Sequence, residues 1–233
     1  MSSGGASGRI RRVRRASLFE RDPIRKPGST FRDHALLVIL GLLCFVTPGA
    51  AVELDFGIQK VLEGLSLPLP DPSRPIVCHG FGCAYQTPIQ LRPVDRAQLK
   101  KLFNAAAAKS PEAERKAVAA AMAWFEKRVA AEAGTARAIA RAGYGHAGDP
   151  SQFDCFDKTS NTIELLAVIA EMGLLKHHVI DEPVSRGGVG SLPHTTAVVR
   201  ERAGGQKWAI DGWTHANGEL PDVMPLDKWR SES

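Results

Sequence analysis

The chain reads as an α+β domain in which helices pack on a small antiparallel sheet. Three features predict this. A helix opening at Asp154-Cys155 is apolar on almost every face from Ile163 to Met172, which describes a helix surrounded by protein. A second helix is announced by Ser110-Pro111-Glu112, with a capping hydroxyl, a proline at the first position and an acid in the first turn. Two strand-like runs, His194–Arg200 and Gln206–Asp211, join at Gly204-Gly205.

Taken in order, residues 1–34 form a basic tail. They hold nine Lys or Arg against three acids, a net +6 that leaves −1 for the other 199 residues of a chain whose total is +5. The folded part is thus nearly neutral, and no nucleic-acid partner is expected from the charge. Residues 35–51 carry an apolar run, Leu36 to Val46, followed by Thr47-Pro48-Gly49-Ala50-Ala51. A basic flank, a run of this length and small residues make the pattern of a secretory signal. The run is short of the ~20 apolar residues of a spanning helix. Cleavage near Ala50 or Ala51 is the first expectation and an uncleaved membrane anchor the second, so membrane contact is expected only through residues 35–51. Either way the remainder is exported, to the periplasm or to its face of the inner membrane.

Export changes how the cysteines read. Cys44 lies within the apolar run. Cys78 and Cys83 flank His79-Gly80-Phe81-Gly82, and two glycines let so short a loop close a disulfide, a ring that adds roughly 2 kcal/mol in an oxidising compartment. Two Cys and one His at this spacing match no zinc pattern, and neither metal nor organic cofactor is expected. Cys155 is left as an unpaired thiol, which in an exported protein needs a reason.

Residues 52–94 read as a proline-rich, extended lead-in containing the Cys78/Cys83 loop, with Ala84–Leu91 as an edge strand. The main domain, residues 95–233, opens with a helix capped by Asp95 and running to about Ala108. The Ser110 helix follows, to about Ala133, with Val118, Met122, Phe125 and Val129 on one stripe, and Thr135–Arg141 adds a further turn or two. The loop Gly143–Pro150 leads into the Cys155 helix, where Asp154 and Asp157 have capping-box spacing and Gly173 supplies a left-handed stop. A strand is expected from His178 to Val184, then an irregular glycine-rich stretch, Ser185–Ser191. The tail from Gly218 reads as a loop with Leu226 and Trp229 packing back. His177, His178 and His215 read as solvated, and the tryptophans as packing groups.

Cys155 occupies the first turn of its helix, where free amides and the dipole favour a thiolate and can hold an oxyanion. Gln152 is near enough in sequence to be a second donor. Side chains alternate along a strand, so His194, Thr196 and Val198 share a face, as do Ala209, Asp211 and Trp213. Pairing Thr196 with Asp211 places the carboxylate diagonally beside the imidazole. Cys155, His194 and Asp211 then have the chemistry of a nucleophile, a proton-moving base and an orienting acid.

These pieces, Asp154-Cys155, then Pro193-His194-Thr195-Thr196-Ala197-Val198-Val199, then Lys207-Trp208-Ala209-Ile210-Asp211, resemble the transglutaminase-like branch of the papain-like cysteine enzymes over about residues 110–215. The resemblance implies that fold and a Cys-His-Asp triad acting in acyl transfer at amides. It implies peptide, protein or peptidoglycan-type substrates and the activities of peptidase, amidase or transglutaminase. The chain departs from that group in carrying Phe156 and Asp157 after the cysteine and Thr195-Thr196 after the histidine; two acids beside Cys155 raise its thiol pKa. The competing reading is a non-catalytic periplasmic binding or envelope-structural module that keeps the fold.

Overall fold

The computed structural model describes residues 54–104, 107–187 and 193–232. The basic tail and the apolar run of residues 35–51 lie outside them, and among the described residues no helix is long and apolar enough to cross a membrane. The described chain is α+β. Helices α1 (Phe56–Gly64), α2 (Pro93–Leu102), α3 (Pro111–Ala133), α4 (Cys155–Glu171) and α5 (Leu226–Ser231) pack with a hairpin, β1 (Ile76–His79) and β2 (Tyr85–Pro88), and a four-stranded antiparallel sheet. The sheet strands are β3 (His178–Arg186), β4 (His194–Glu201), β5 (Lys207–Asp211) and β6 (Asp222–Pro225), lying side by side in chain order.

Helix α4 is the centre of the domain, and every residue from Asp157 to Ile169 is buried. Its start is the expected capping box: Asp154 accepts from the Asp157 amide at 2.7 Å, and Asp157 accepts from the Asp154 amide at 3.2 Å. Just past its end Gly173 takes φ 67°, a left-handed conformation that only glycine adopts cheaply. A buried helix needs partners for its polar side chains; Oε2 of Glu164 has none, but several others find theirs while fastening the neighbours. Lys158 Nζ meets Glu126 of α3 at 2.6 Å, Thr159 donates to the Thr195 carbonyl of β4 at 3.0 Å, and Asn161 bonds both the amide and the carbonyl of Cys78 in β1, at 2.7 and 2.9 Å. Helix α3 runs as its sequence signals, with Ser110 accepting from the Ala113 amide and Gly134 at φ 74°.

The sheet register pairs Ala197 with Ile210 and Val198 with Ala209, so the next pair sets Thr196 opposite Asp211 as expected. Alternation then divides the sheet. Val199 and Ile210 join the main core with Val118, Phe125, Leu165 and Leu166, while Val198 and Ala209 pack with Leu226 and Trp229 of α5.

Several elements differ from the sequence reading. The lead-in contains α1, capped by Asp55 and burying Ile58 and Leu62 at a four-residue spacing, so residues 52–94 are not extended throughout. The run expected as an edge strand is one, shortened to Tyr85–Pro88, and its partner β1 is tied to α4 through Cys78 and Asn161. Helix α2 starts at Pro93 rather than at Asp95, which sits in its first turn between Arg92 and Arg128, and it stops at Leu102. Thr135–Arg141 forms turns without a helix, and the C-terminal tail contains β6 and α5.

Candidate active site

The structure brings His194 and Asp211 into direct contact. Nε2 of His194 lies 2.5 Å from Oδ2 of Asp211, and both residues are buried. The same carboxylate oxygen accepts from the Trp229 indole at 2.8 Å, and Oδ1 accepts from the Trp213 amide at 3.2 Å. Burial pushes the Asp211 carboxyl up, but the hydrogen bond and charge of His194 and the donors from Trp229 and Trp213 outweigh it and hold the group below its ordinary value. An ionised Asp211 only accepts, so Nε2 carries the hydrogen, and it is Nδ1 that is left to accept or release a proton. Nδ1 is buried and has no hydrogen-bond partner. The ring is held between Trp213 and Trp229, at centroid distances of 4.7 and 5.4 Å.

Cys155, the first residue of α4, is a free cysteine 7% exposed. Its Sγ lies 3.9 Å from the Pro193 carbonyl, and the Thr195 amide is near enough to favour the thiolate, so the sulfur sits near the backbone on both sides of His194. No hydrogen bond joins Sγ to the imidazole. The sheet division gives the reason: His194, like Trp229 and Asp211, belongs to the α5 face, whereas α4 packs on the other face. The thiol lies instead against the backbone at the start of β4. Burial pushes the Cys155 thiol up to about 11; the Thr195 amide opposes this, and the nearby charges of Asp154 and Asp211 add to it. The resting group is a neutral thiol, and the helix dipole does not make it a thiolate.

The acids flanking Cys155 hold the loop between Cys78 and Cys83, which forms the expected disulfide with its Cα atoms 4.5 Å apart. Gly80, Phe81, Gly82 and Cys83 all take positive φ, from 58° to 82°, and this backbone turns three successive amides toward α4. Asp157 accepts from the Phe81 amide at 2.8 Å and from Cys83 at 2.7 Å, while Asp154 accepts from Gly82 at 2.8 Å. Burial, and next the charge of Asp154, push Asp157 up to about 7; burial also raises Asp154. The disulfide loop, the capping box and the Cys155 turn are thus one fastened unit. The cap occupies the Asp157 amide, and the Cys155 amide lies in the same first turn beside its own sulfur.

A cleft of about 240 Å³ is lined by Cys155 together with Phe81, Tyr144, Phe156, Pro193, Trp213, Arg141 and Asp154. Gln152 does not reach it as an oxyanion donor. Its side chain accepts from the Ile139 amide at 2.9 Å and donates to Ser151, bracing the adjacent loop. His178, expected at the surface, is buried against Glu114 at 2.8 Å, whereas His215 is half-buried beside Asp222. Among the described residues no group of three or more His, Cys, Asp or Glu converges as a metal site. Trp213 and Trp229, read as packing groups, flank and anchor the histidine. For Trp213 a signal was present, since alternation set it on the face of Asp211, although β5 ends at Asp211 and Trp213 lies in the turn beyond it; for Trp229 the contact depends on a turn and helix that the sequence did not announce.

No family model, curated protein or solved structure matches the chain.

Proposed function

We propose that this protein is a cysteine-dependent acyl-transfer enzyme acting on amides, a peptidase, amidase or transglutaminase-like enzyme of the papain-like fold. The observation that carries the reading is His194, locked by Asp211 through Nε2, flanked by two indoles, and left with an unpaired, buried Nδ1 beside the residue pair that touches Cys155. A buried ring nitrogen without a partner is costly unless a reacting group uses it.

Because the resting thiol is neutral, the proton leaves as the bond forms. Cys155 Sγ attacks the substrate carbonyl while its proton passes to His194 Nδ1; Asp211 holds the imidazole and stabilises its cation. The Cys155 amide donates to the developing oxyanion. Collapse of the tetrahedral adduct returns the proton from Nδ1 to the leaving amine and leaves an acyl-thioester. Water, or an acceptor amine, then resolves it by the reverse sequence. The basic and apolar segments that precede the domain, together with the disulfide, support an exported enzyme, periplasmic or anchored by residues 35–51, with peptide, protein or peptidoglycan-type amides as substrates.

A second reading, a non-catalytic envelope module, draws on one observation: the thiol is pushed up to about 11 and bonds to backbone rather than to the imidazole. Acylation by p-nitrophenyl acetate separates the two. The enzyme reading expects nitrophenol release with one acetyl group mapped to Cys155, at a rate roughly 10²–10⁴ times that of His194→Ala. Equal, slow acylation of the two proteins supports the envelope module instead.

A further inference from the structure

We propose that the cleft over Cys155 takes a peptide segment carrying an aromatic or large apolar side chain next to a carboxylate; this selectivity rests on the reading of Cys155 as the nucleophile. Cys155 and four aromatic residues, Phe81, Tyr144, Phe156 and Trp213, line the cleft. Tyr144 is 67% exposed, and an aromatic ring left this open beside a concave site is surface for a ligand to cover. Phe81 is held in place, since its backbone is left-handed and fixed through its amide to Asp157. A wall that does not move on binding costs little ordering entropy.

Charge then selects among apolar ligands. Asp154 and Arg141 are the two charged residues of the cleft. Both oxygens of Asp154 are already committed, Oδ1 to the Asp157 amide and Oδ2 to Gly82. Arg141 is exposed, and among the described residues no carboxylate lies within ion-pair distance of it. Its backbone is pinned instead: φ is 53°, a strained value for a residue with a side chain, and its amide donates to the Trp213 carbonyl at 2.8 Å. Arg141 lines the cleft with its backbone anchored beside Trp213 and its guanidinium outside any ion pair, which suits a planar carboxylate, bound by guanidinium in bidentate fashion. The carboxylate comes either from an acidic side chain or from the end of the peptide.

Calorimetric titration of the full-length Cys155→Ser protein tests this without any chemical step. N-acetyl-Phe-Asp-amide is expected to bind about tenfold tighter than either N-acetyl-Phe-Asn-amide or N-acetyl-Ala-Asp-amide. N-acetyl-Phe-Gly with a free carboxyl end reports whether a terminal carboxylate serves as well. Arg141→Gln is expected to bring the Asp and Asn peptides within about twofold, and Arg141→Lys to keep most of the difference. Equal affinity of the Asp, Asn and free-acid peptides, or no saturable binding of any of them, overturns the inference. Failure of p-nitrophenyl acetate to acylate the unsubstituted protein at Cys155 strikes the catalytic reading and is measured separately.

Discussion

Replacing Trp229 by Phe removes one indole N–H from the Asp211 carboxylate while keeping an aromatic ring in a fully buried position. The bond it breaks is 2.8 Å long, within the range of charge-assisted hydrogen bonds, and its acceptor is buried. Such bonds are worth about 1.5–3 kcal/mol. His194 shares the same oxygen at 2.5 Å and takes up part of the loss, so a coupling of about 1–2 kcal/mol is expected. The direct assay is a double-mutant cycle of Trp229→Phe and Asp211→Asn, read by urea unfolding at pH 7, which subtracts the packing cost of the smaller ring. Sign and pH window follow from Asp211, whose folded pKa lies below its ordinary value of 3.8. Its ionised-state contribution is present above 3.8 and is lost as pH falls through the folded value, so the coupling should shrink in acid. A coupling below about 0.3 kcal/mol at pH 7, or one unchanged in acid, refutes the claim that Trp229 sustains the charged state of Asp211.

Three other perturbations probe the frame around the site. Asp157 is raised to about 7 against an ordinary 3.8, so its contribution to stability is full below 3.8 and is lost as pH rises through about 7. Urea unfolding at pH 5 and pH 8 should therefore show the wild type weakening toward alkaline pH and Asp157→Asn changing less; parallel slopes contradict this. Cys78→Ala/Cys83→Ala should lower stability by about 2 kcal/mol on the loop-entropy estimate, and unchanged urea midpoints would show that the carboxylates alone hold the loop. Lys158→Met leaves the buried Glu126 carboxylate without its cation and should cost about 3–5 kcal/mol, most of it recovered in Lys158→Met/Glu126→Leu. Equal losses in single and double variants would mean that the pair matters only through packing.

What could be read from the chain depended on how local the signal was. Helix α4 declared both its ends through Asp154, Asp157 and Gly173, and α3 did so through Ser110, Pro111 and Gly134, because caps act within four residues of themselves. The β4–β5 register was also accessible, since it needs only two alternating runs and a glycine turn. Helix α1 was hidden by the prolines that follow it, which govern Leu65 to Pro75 but not Phe56 to Gly64. Strand β6 and α5 carry weak propensity and are held by tertiary contacts with β5, and Trp229 was lost with them. The candidacy of Cys155, His194 and Asp211 was legible from residue type and order. Their geometry was not, because where the thiol lies relative to the imidazole depends on which sheet face each element covers. Asp154 and Asp157 were legible as a capping box and as neighbours of the thiol but not as the anchors of the disulfide loop, because the amides of residues 81 to 83 lie more than seventy residues away.

The proposed relay is tested most directly by p-nitrophenyl acetate acylation rates at Cys155 in four proteins: the wild type, His194→Ala, Asp211→Asn and the double variant. Groups that act as one unit are non-additive. The double variant is therefore expected to be no slower than His194→Ala alone. Independent losses that multiply in the double variant, or single variants that acylate as fast as the wild type, would contradict a Cys155-His194-Asp211 relay.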